Sequence, residues 1–429
     1  MLLYLSKMKK AIAFDDRKSA RAALLTVFLA VLIDLIGFGI ILPMLPFYAS
    51  VFKASPIQIG FLYSIFSLAQ LIFSPIWGSL SDQFGRRPIM LISTFGAVIA
   101  YLIFGFAHTL WLLFLSRLIA GIMGGNISTA QAYVTDVTTH EDRAKGMGLI
   151  GAAFGIGFVM GPAFATLLLH PKFLGLFHIT VENKFALPGF FAAFLSFVSF
   201  LLVLFKLPET VHQRENGDAI PARSSVFTKT FWQSIFNKKG GELFRLLIFS
   251  AFLFSFAQAS LYSSFPIFCK YHLNLSEEQV GILFVYMGLI AIIIQGGLIK
   301  ILTQKFKEEK LFLWGSFLMI LGFILTPFAS SRYFLIFSLG LMGIGASLNT
   351  PTLNSLISKE ADPEKVGATM GTSQGMGSLG RVLGPTLGGA FYEIWYFLPF
   401  WATAGFLLFA VNVGLKIVRH PEIQRRSAV

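Results

Sequence analysis

The sequence of 429 residues has little charge and almost no cysteine. Charged residues make up 13% of the chain and hydrophobic residues 55%, whereas a soluble protein of this length needs far more polar surface. The single cysteine, Cys269, excludes an intramolecular disulfide and any haem or zinc site built on cysteines. The seven histidines have no spacing typical of a metal site, and no phosphate-binding loop is present. We therefore predict that the protein binds no metal and no cofactor and does not use ATP as an energy source.

Twelve long apolar segments take up most of the chain. Each has about 20 residues, enough to cross a hydrocarbon core of roughly 30 Å. Only helices or closed barrels satisfy their backbone hydrogen bonds in lipid, and the segments lack the period-two alternation of a barrel strand. The sequence therefore predicts an all-α polytopic membrane protein with twelve transmembrane helices.

The net charge of +13 does not indicate a nucleic-acid partner, because the basic residues lie in the short gaps between apolar segments. With both termini on one side, 27 of the 34 Lys and Arg residues fall on that side. The opposite side has Lys53, Lys172, Lys184, Lys270 and Arg332, and two arginines lie within helices. Since cytoplasmic loops are rich in Lys and Arg, we predict cytoplasmic termini.

A polar linker after the sixth segment divides the chain into two similar parts. We predict a six-helix bundle over residues 1–206, a cytoplasmic linker over 207–243 and a second bundle over 244–429. Gly161–Pro162 in the fifth segment recurs as Gly384–Pro385 in the eleventh, 223 positions later. Such a constant offset indicates an internal duplication, and two pseudo-symmetric bundles with a binding site between them are a known transporter design.

The gap between the second and third segments carries a polar motif, GSLSDQFGRRP over residues 78–88. Gly78 and Gly85 permit a tight turn and close approach of helices. Asp82 and Arg86 offer opposite charges to neighbouring helices. Taken alone, the motif could equally be an ordinary basic cytoplasmic loop.

This motif resembles the signature loop of the major facilitator superfamily, GxLaDxxGRR, and the resemblance covers essentially the whole chain. It implies a latch that holds an outward-open state. In this latch Asp82 would cap the eleventh helix, where an anion near a helix N-terminus is favourable. Arg86, followed by Arg87, would pair with Asp136 at the cytoplasmic end of the fourth helix.

Two further segments bear on this resemblance. Pro208-Glu209-Thr210 resembles a tripeptide that is common after the sixth helix in the superfamily. The matching loop of the second half, residues 304–309, lacks the aspartate and the glycine. The resemblance therefore does not extend to a symmetrical second latch.

Asp34 lies near the middle of the first segment, where an ionised carboxylate costs at least ~2.5 kcal/mol. Such a residue faces a cavity, finds a partner or binds a proton, because burial favours the neutral form. We predict that Asp34 carries a proton; the alternative is a structural acid paired with an arginine. The run Asp34–Pro46 resembles the first helix of the tetracycline-exporter branch of drug:proton antiporters.

Arg117 lies in the fourth segment, about two turns from its outer end, in the run RLIAGIMGG. This run resembles the RxxxGxxxG pattern of drug:proton antiporters, in which the arginine is implicated in proton coupling. The alternative is an arginine whose head group reaches the outer membrane interface.

Arg381 lies in the eleventh segment among glycines, where a cation needs a partner or an anionic ligand. It has no counterpart in the fifth segment, so it either contacts substrate or pairs with Asp34. Uncharged polar residues are further candidates for lining a substrate cavity, although hydrogen bonds between packed helices explain them equally well. They include Asn126, Gln131, Gln258, Asn349 and Gln374.

The fifth and eleventh segments are rich in small residues, which let helices pack closely in lipid. The run Gly157–Pro162 resembles part of the exporter motif gxxxGPxxGG, and the eleventh segment has its fuller form around Gly384 and Pro385. We predict that five residues form packing hinges: Gly157, Gly161, Pro162, Gly384 and Pro385.

These features predict a secondary transporter of the plasma membrane, the inner membrane of a bacterium, that acts as a monomer. It would export small amphiphilic molecules or drugs in exchange for protons, by alternating access within the lipid bilayer. The alternative is a proton-coupled importer of a small anionic metabolite or siderophore, which Arg381 favours. An enzyme is not expected, because no polar loop carries a catalytic cluster.

Overall fold

The computed structural model describes residues 17–138, 142–176, 183–210, 226–236, 242–361 and 366–419. In these ranges the regular secondary structure is helical, with twelve long helices and two short ones, Pro171–Leu176 and Lys229–Phe236. The long helices are α1 (Arg17–Val51), α2 (Pro56–Phe84), α3 (Arg86–Gly105), α4 (Leu110–Val137), α5 (Arg143–Leu169), α6 (Ala186–Lys206), α7 (Glu242–His272), α8 (Glu277–Lys305), α9 (Glu308–Phe328), α10 (Arg332–Glu360), α11 (Val366–Ile394) and α12 (Leu398–Arg419). The prediction of an all-α membrane protein with twelve helices is confirmed.

Among the described residues, eleven of the twelve long helices are long and apolar enough to cross a membrane. The exception is α11, which is long but less apolar. Glycine and polar residues lower its hydropathy. They also allow its backbone to touch two neighbours. A Cβ atom added at Gly384 would lie 2.6 Å from the carbonyl oxygen of Phe256 in α7, and one added at Gly389 would overlap Pro56 in α2. The helix is therefore tightly packed between the two halves of the molecule.

The residues that cap the starts of helices recur at equivalent positions in the two halves. Ser55 and Gln58 form a capping box at the start of α2, and Ser276 and Gln279 form the same box at the start of α8. The first residues of α4 and α10 are likewise capped by hydroxyls, Thr109 and Ser331. These caps lie 221 and 222 positions apart, close to the offset of 223 positions between the duplicated Gly–Pro pairs.

Two of the helices are interrupted, although their sequences predict continuous segments. A turn at Gly125 and Asn126 breaks α4 into Leu110–Gly124 and Ile127–Val137. In α8, the segment Ile294–Leu298 is a π-helix, an irregularity that often marks functional positions.

Polar contacts join the two six-helix halves at one face of the molecule, in addition to the packing of α11 on α2. We call the face at which α1 begins and α12 ends the terminal face, and the other the opposite face. At the opposite face, polar contacts join the helix ends and adjoining residues of the two halves. They are Lys184 with Glu277, His170 with Glu278 (3.8 Å), Lys270 with Ser50, and the backbone N–H of Ile57 with Glu393 (3.0 Å). These contacts close the opposite face.

Towards the terminal face the seam between α5 and α8 is open. Near the opposite face these helices touch, since a Cβ atom at Gly288 would lie 2.5 Å from Val159. Further along, Cβ atoms added at Gly148, Gly151 or Gly155 of α5 would meet nothing within 4 Å. The same holds for Gly296 and Gly297 of α8. The structure is thus closed at the opposite face and open between α5 and α8 at the terminal face.

Candidate functional site

Asp34 is held by the break in α4. The turn at Gly125 places Asn126 beside α1, and its Nδ2 donates a hydrogen bond to Asp34 Oδ2 at 3.0 Å. The other carboxylate oxygen, Oδ1, is shielded from solvent and has no hydrogen-bond partner. Asn126 itself is buried. The structure therefore gives Asn126, predicted to line the cavity, a direct role in positioning Asp34.

Arg117 is sealed by aromatic rings. Its side chain is 1% exposed, and its guanidinium carbon lies 4.3 Å from the ring centre of Phe66 and 5.6 Å from that of Phe38. Nε and Nη1 are buried without a hydrogen-bond partner. An arginine so enclosed does not reach the membrane interface, so the structure contradicts the alternative of a snorkelling side chain. Its charge is balanced in part by the π faces of the two rings.

Arg381 lies on α11 and is only partly buried. Its Nη2 donates to Ser378 Oγ at 2.7 Å. Within the ranges that the structure describes, no ion pair joins Asp34 to Arg381 or to Arg117. The pairing considered for Asp34 is therefore absent from this structure, because Asn126 holds the carboxylate instead.

The other polar candidates divide into exposed and buried ones. Gln131, Gln258 and Gln374 are exposed, and Gln258 Nε2 donates to the Tyr262 hydroxyl at 2.9 Å. Asn349, in contrast, is 2% exposed, and its Nδ2 contacts Ser316 Oγ of α9 at 3.3 Å. The structure thus places Asn349 in the packing between α9 and α10 and not on an open surface, which argues against a cavity role.

Aromatic side chains connect the charged groups of the two halves. Phe38, one turn after Asp34, stacks on Phe66, with ring centres 4.8 Å apart. Phe38 also contacts Phe158 of α5 edge-on at 6.0 Å. Phe158 in turn stacks on Tyr262 of α7 at 6.5 Å. The chain of rings runs from the cover of Arg117 in the first half to the neighbourhood of Arg381 in the second.

The predicted latch motif forms a charge cluster at the terminal face. Arg86 pairs with Asp82 on the preceding turn, and its Nε lies 2.9 Å from Asp136 Oδ2 at the end of α4. Its Nη1 also donates to Ser81 Oγ at 2.7 Å, and that hydroxyl donates to the carbonyl of Gly78. The expected contact between Arg86 and Asp136 is present. The start of α11, which Asp82 is predicted to cap, adjoins residues 362–365, and these lie outside the described residues.

Glu209 completes this cluster and was not among the predicted site residues. Its carboxylate accepts hydrogen bonds from the backbone N–H groups of Arg86 (2.9 Å) and Arg87 (3.2 Å), and so caps α3. Gly85 has φ +105°, and a Cβ atom there would overlap this carboxylate. The tripeptide Pro208-Glu209-Thr210 was the available signal, but it did not identify the partner.

The second half has an ion pair at the equivalent position with its signs reversed. Lys359 Nζ at the end of α10 lies 2.8 Å from Glu308 Oε2 at the start of α9. These residues follow Asp136 and Arg86 by 223 and 222 positions. The loss of the motif's aspartate and glycine therefore did not remove the pairing of these two helix ends.

The predicted hinge residues lie where helix backbones touch. Cβ atoms at Gly157 and Gly161 of α5 would lie 2.6 Å from Leu35 and 2.5 Å from Gly39 of α1. Gly384 of α11 makes the equivalent contact with α7. Pro162 and Pro385 both lie inside their helices, and the carbonyl of Pro385 accepts a hydrogen bond from Ser263 at 3.2 Å. These residues bring α1 against α5, and α7 against α11.

Comparison with known proteins identifies the family. The model of the Major Facilitator Superfamily matches residues 27–307 and 247–428. The chain belongs to the major facilitator superfamily. The chain is 30% identical over 376 residues to the class B tetracycline resistance protein of Escherichia coli, covering 86% of this chain and 88% of that protein. It is also 26% identical to multidrug resistance protein 2 of Bacillus subtilis (strain 168), covering 96% and 97%.

Solved structures of this superfamily have the same fold. The human organic anion transporter MFSD10 (TETRAN) matches with a TM-score of 0.67 and 24% identity, over 92% of this chain and 99% of that chain. A bacterial homolog of the human lysosomal transporter Spinster, inward-facing and unoccupied, matches with a TM-score of 0.72 and 18% identity, over 94% and 98%. The protein is thus an integral membrane transporter of small molecules and not an enzyme.

Proposed function

We propose that this transporter exports small amphiphilic molecules in exchange for protons. The observation that carries the proposal is Asp34. One oxygen of its carboxylate is held by Asn126 and the other has no partner. Such a group can gain and lose a proton without breaking an ion pair. The names of the tetracycline and multidrug resistance relatives support export.

The direction of the opening follows from the distribution of charge. Because Lys and Arg are concentrated on the side of the termini, we assign the terminal face to the cytoplasm. The gap between α5 and α8 then faces the cytoplasm, where an exporter binds its substrate. Protonation of Asp34 from the outside would return the empty site to this state.

Within this cycle we assign separate roles to the charged groups. Arg117, which is covered by Phe38 one turn along α1 from Asp34, would provide a fixed positive charge to which the carboxylate responds. The cluster around Arg86 already exists while the terminal face is open, so it is not itself the element that opens or closes. Its contribution to an outward-open latch would come from Asp82 meeting α11 when the terminal face closes. Alternating access would then be a rocking of the two halves.

A second candidate is proton-coupled import of a small organic anion. It is favoured by Arg381, a cation within the membrane that has no ion-pair partner among the described residues. The two candidates share Asp34 as the coupling group and differ in direction. A vesicle assay separates them.

The test uses inside-out membrane vesicles with an imposed proton gradient, interior acidic. Export predicts substrate accumulation that an uncoupler abolishes. Accumulation only in right-side-out vesicles would contradict export and support import.

Asp34→Asn should reduce gradient-driven accumulation to the level of vesicles without the protein, while exchange of labelled for unlabelled substrate continues. Glu360→Gln, at the exposed end of α10, is the matched control. Unchanged accumulation by Asp34→Asn would show that another group couples transport to protons.

A further inference from the structure

A polar surface is shared by α7 and α11 in the second half. Three of its residues are spaced by three and four positions along α7, and three by four and three along α11, so each set lies on one face of its helix. They are Ser255, Gln258 and Tyr262, and Gln374, Ser378 and Arg381. Glycines bring the two faces together. A Cβ atom at Gly377 would lie 2.9 Å from Ser255 Oγ, and one at Gly380 would lie 2.5 Å from the carbonyl of Phe252.

Arg381 is oriented on this surface but not neutralised. Its Nη2 donates to Ser378 Oγ, and that hydroxyl donates to the carbonyl of Gln374 at 2.9 Å. No carboxylate of the described residues lies within 4 Å of it. Its Nε and Nη1 groups donate to no described residue. An uncompensated arginine in the middle of a membrane helix is costly, so such residues usually have a partner or a ligand. Part of its donor fork is thus available to an anion.

Tyr262 and Gln258 add donors on the same side. The amide of Gln258 donates to the Tyr262 hydroxyl, so that oxygen acts as acceptor and its proton is free to donate elsewhere. The Cβ position of Gly377 lies 3.7 Å from Arg381 Nη1 and 2.9 Å from Ser255 Oγ, so the guanidinium lies beside the face of α7 that carries Gln258 and Tyr262. Gln258 is exposed, and Tyr262 is partly buried. An acidic oxygen placed here would meet a guanidinium and a phenol.

The same tyrosine is in contact with the first half. Phe158 of α5 stacks on Tyr262 with an angle of 16° between the rings, and Phe284 of α8 contacts Tyr262 at 5.8 Å. Aromatic walls beside a cationic donor fit a flat, conjugated molecule that carries an acidic group. An anion bound here would lie between the halves.

We propose that Arg381, Tyr262 and Gln258 form an anion subsite that binds the acidic oxygen of an aromatic or conjugated organic substrate. The subsite lies in the space between the halves and rests on the proposed transport function. The contrast with Arg117 supports the assignment. Arg117 is covered by Phe66 and Phe38 and is 1% exposed, so a ligand cannot reach it without displacing a ring. Arg381 has no such cover.

Binding of a matched pair of probes tests the subsite without any gradient. The full-length protein in detergent is dialysed against 2-naphthoate or its neutral amide, 2-naphthamide, with protein-free micelles as background. The wild type should bind the acid more tightly than the amide. Arg381→Gln should weaken binding of the acid by roughly tenfold or more, because a charge-assisted hydrogen bond is lost. Binding of the amide should change less than twofold.

Further variants separate a binding role from a structural one. Arg381→Lys keeps the charge but loses the planar fork, so it should restore part of the preference for the acid. Gln258→Ala should weaken binding of the acid by a smaller factor and leave binding of the amide unchanged. This variant replaces Arg381→Gln as the test if Arg381→Gln does not fold. Arg332→Gln, at the exposed start of α10, is the matched control and should bind like the wild type.

Three results would overturn the subsite. They are equal binding of acid and amide by the wild type, absence of binding of either probe, and equal losses for both probes in Arg381→Gln. Failure of the proposed export is distinguishable. If Asp34→Asn transports normally while Arg381→Gln loses the acid selectively, the coupling assignment is wrong and the subsite stands.

Discussion

The two halves place an ion pair between the same two helix ends and give it opposite polarity. In the second half, Glu308 lies in the first turn of α9 and Lys359 in the last turn of α10. Both positions agree with the helix dipole, which favours an anion at the N-terminus and a cation at the C-terminus. In the first half, Arg86 begins α3 and Asp136 ends the fourth helix, so both oppose the dipole.

The difference shows what the first half requires to keep its reversed pair. Glu209 brings a carboxylate to the N-terminus of α3, and Asp82 adds a second anion beside Arg86. The pair is also more enclosed: the Arg86 side chain is 9% exposed, whereas that of Lys359 is 58% exposed. Buried and exposed ion pairs differ greatly in what their loss costs. The first-half cluster should therefore be sensitive to substitution and the second-half pair tolerant.

The largest effect is expected from Arg86→Glu. The change places a third acid beside Asp82 and Asp136, close to Glu209, and removes the guanidinium that pairs with them. Breaking such a partly buried network should cost roughly 3 kcal/mol of folding free energy. Thermal unfolding of the purified protein measures the loss. Adding Asp136→Lys should rescue only part of it, because Asp82 and Glu209 remain. Full rescue would show that the cluster is a simple two-residue pair.

An intermediate effect is expected from Glu209→Gln. The amide oxygen can accept only one of the two backbone hydrogen bonds at the α3 N-terminus, and the side chain no longer balances the charge of Arg86. The loss of a charged cap should cost about 1–2 kcal/mol. Glu309→Gln, which removes an acid from the first turn of α9, is the matched control and should cost about 0.5 kcal/mol or less. Equal losses in the two variants would contradict a special role for Glu209.

The smallest effect is expected from exchanging the second-half pair, Glu308→Lys with Lys359→Glu. The ion pair survives, but its polarity then opposes the helix dipoles. Because this pair is exposed, the exchange should cost about 1 kcal/mol at most, and transport should be unchanged. A loss as large as that of Arg86→Glu would show that polarity itself, and not burial, determines how much such a pair contributes.

Much of this architecture was predictable because it follows from local patterns. Runs of apolar residues indicate the helices, and the repeated Gly–Pro pairs indicate the duplication. The contact between Arg86 and Asp136 followed from the resemblance of the motif. Asn126 and Glu209 were less accessible, because their partners lie 92 and 123 positions away. No local pattern encodes such contacts. The break in α4 was missed for a related reason, since Gly124 and Gly125 are also compatible with close packing in a continuous helix.

The second-half ion pair was not predicted, because the resemblance rests on the residue types of the motif and these differ in the second half. Residues 304–309 share neither the aspartate nor the glycine of residues 78–88. Glu308 and Lys359 nevertheless lie 222 and 223 positions after Arg86 and Asp136. Opposite charges at equivalent helix ends of two repeats therefore indicate an ion pair even where the residue types differ between the repeats.

The bond between Asn126 and Asp34 joins a chemical event to a mechanical one. Asn126 lies at the turn where α4 is interrupted, so its reach to Asp34 depends on how that helix is bent. If a proton on Asp34 changes the strength of this bond, it changes the relative stability of bent and straight forms of α4. By reciprocity, any force that straightens α4 must change the proton affinity of Asp34 by the same free energy. A single side-chain amide would then act as a transducer between protonation and helix shape.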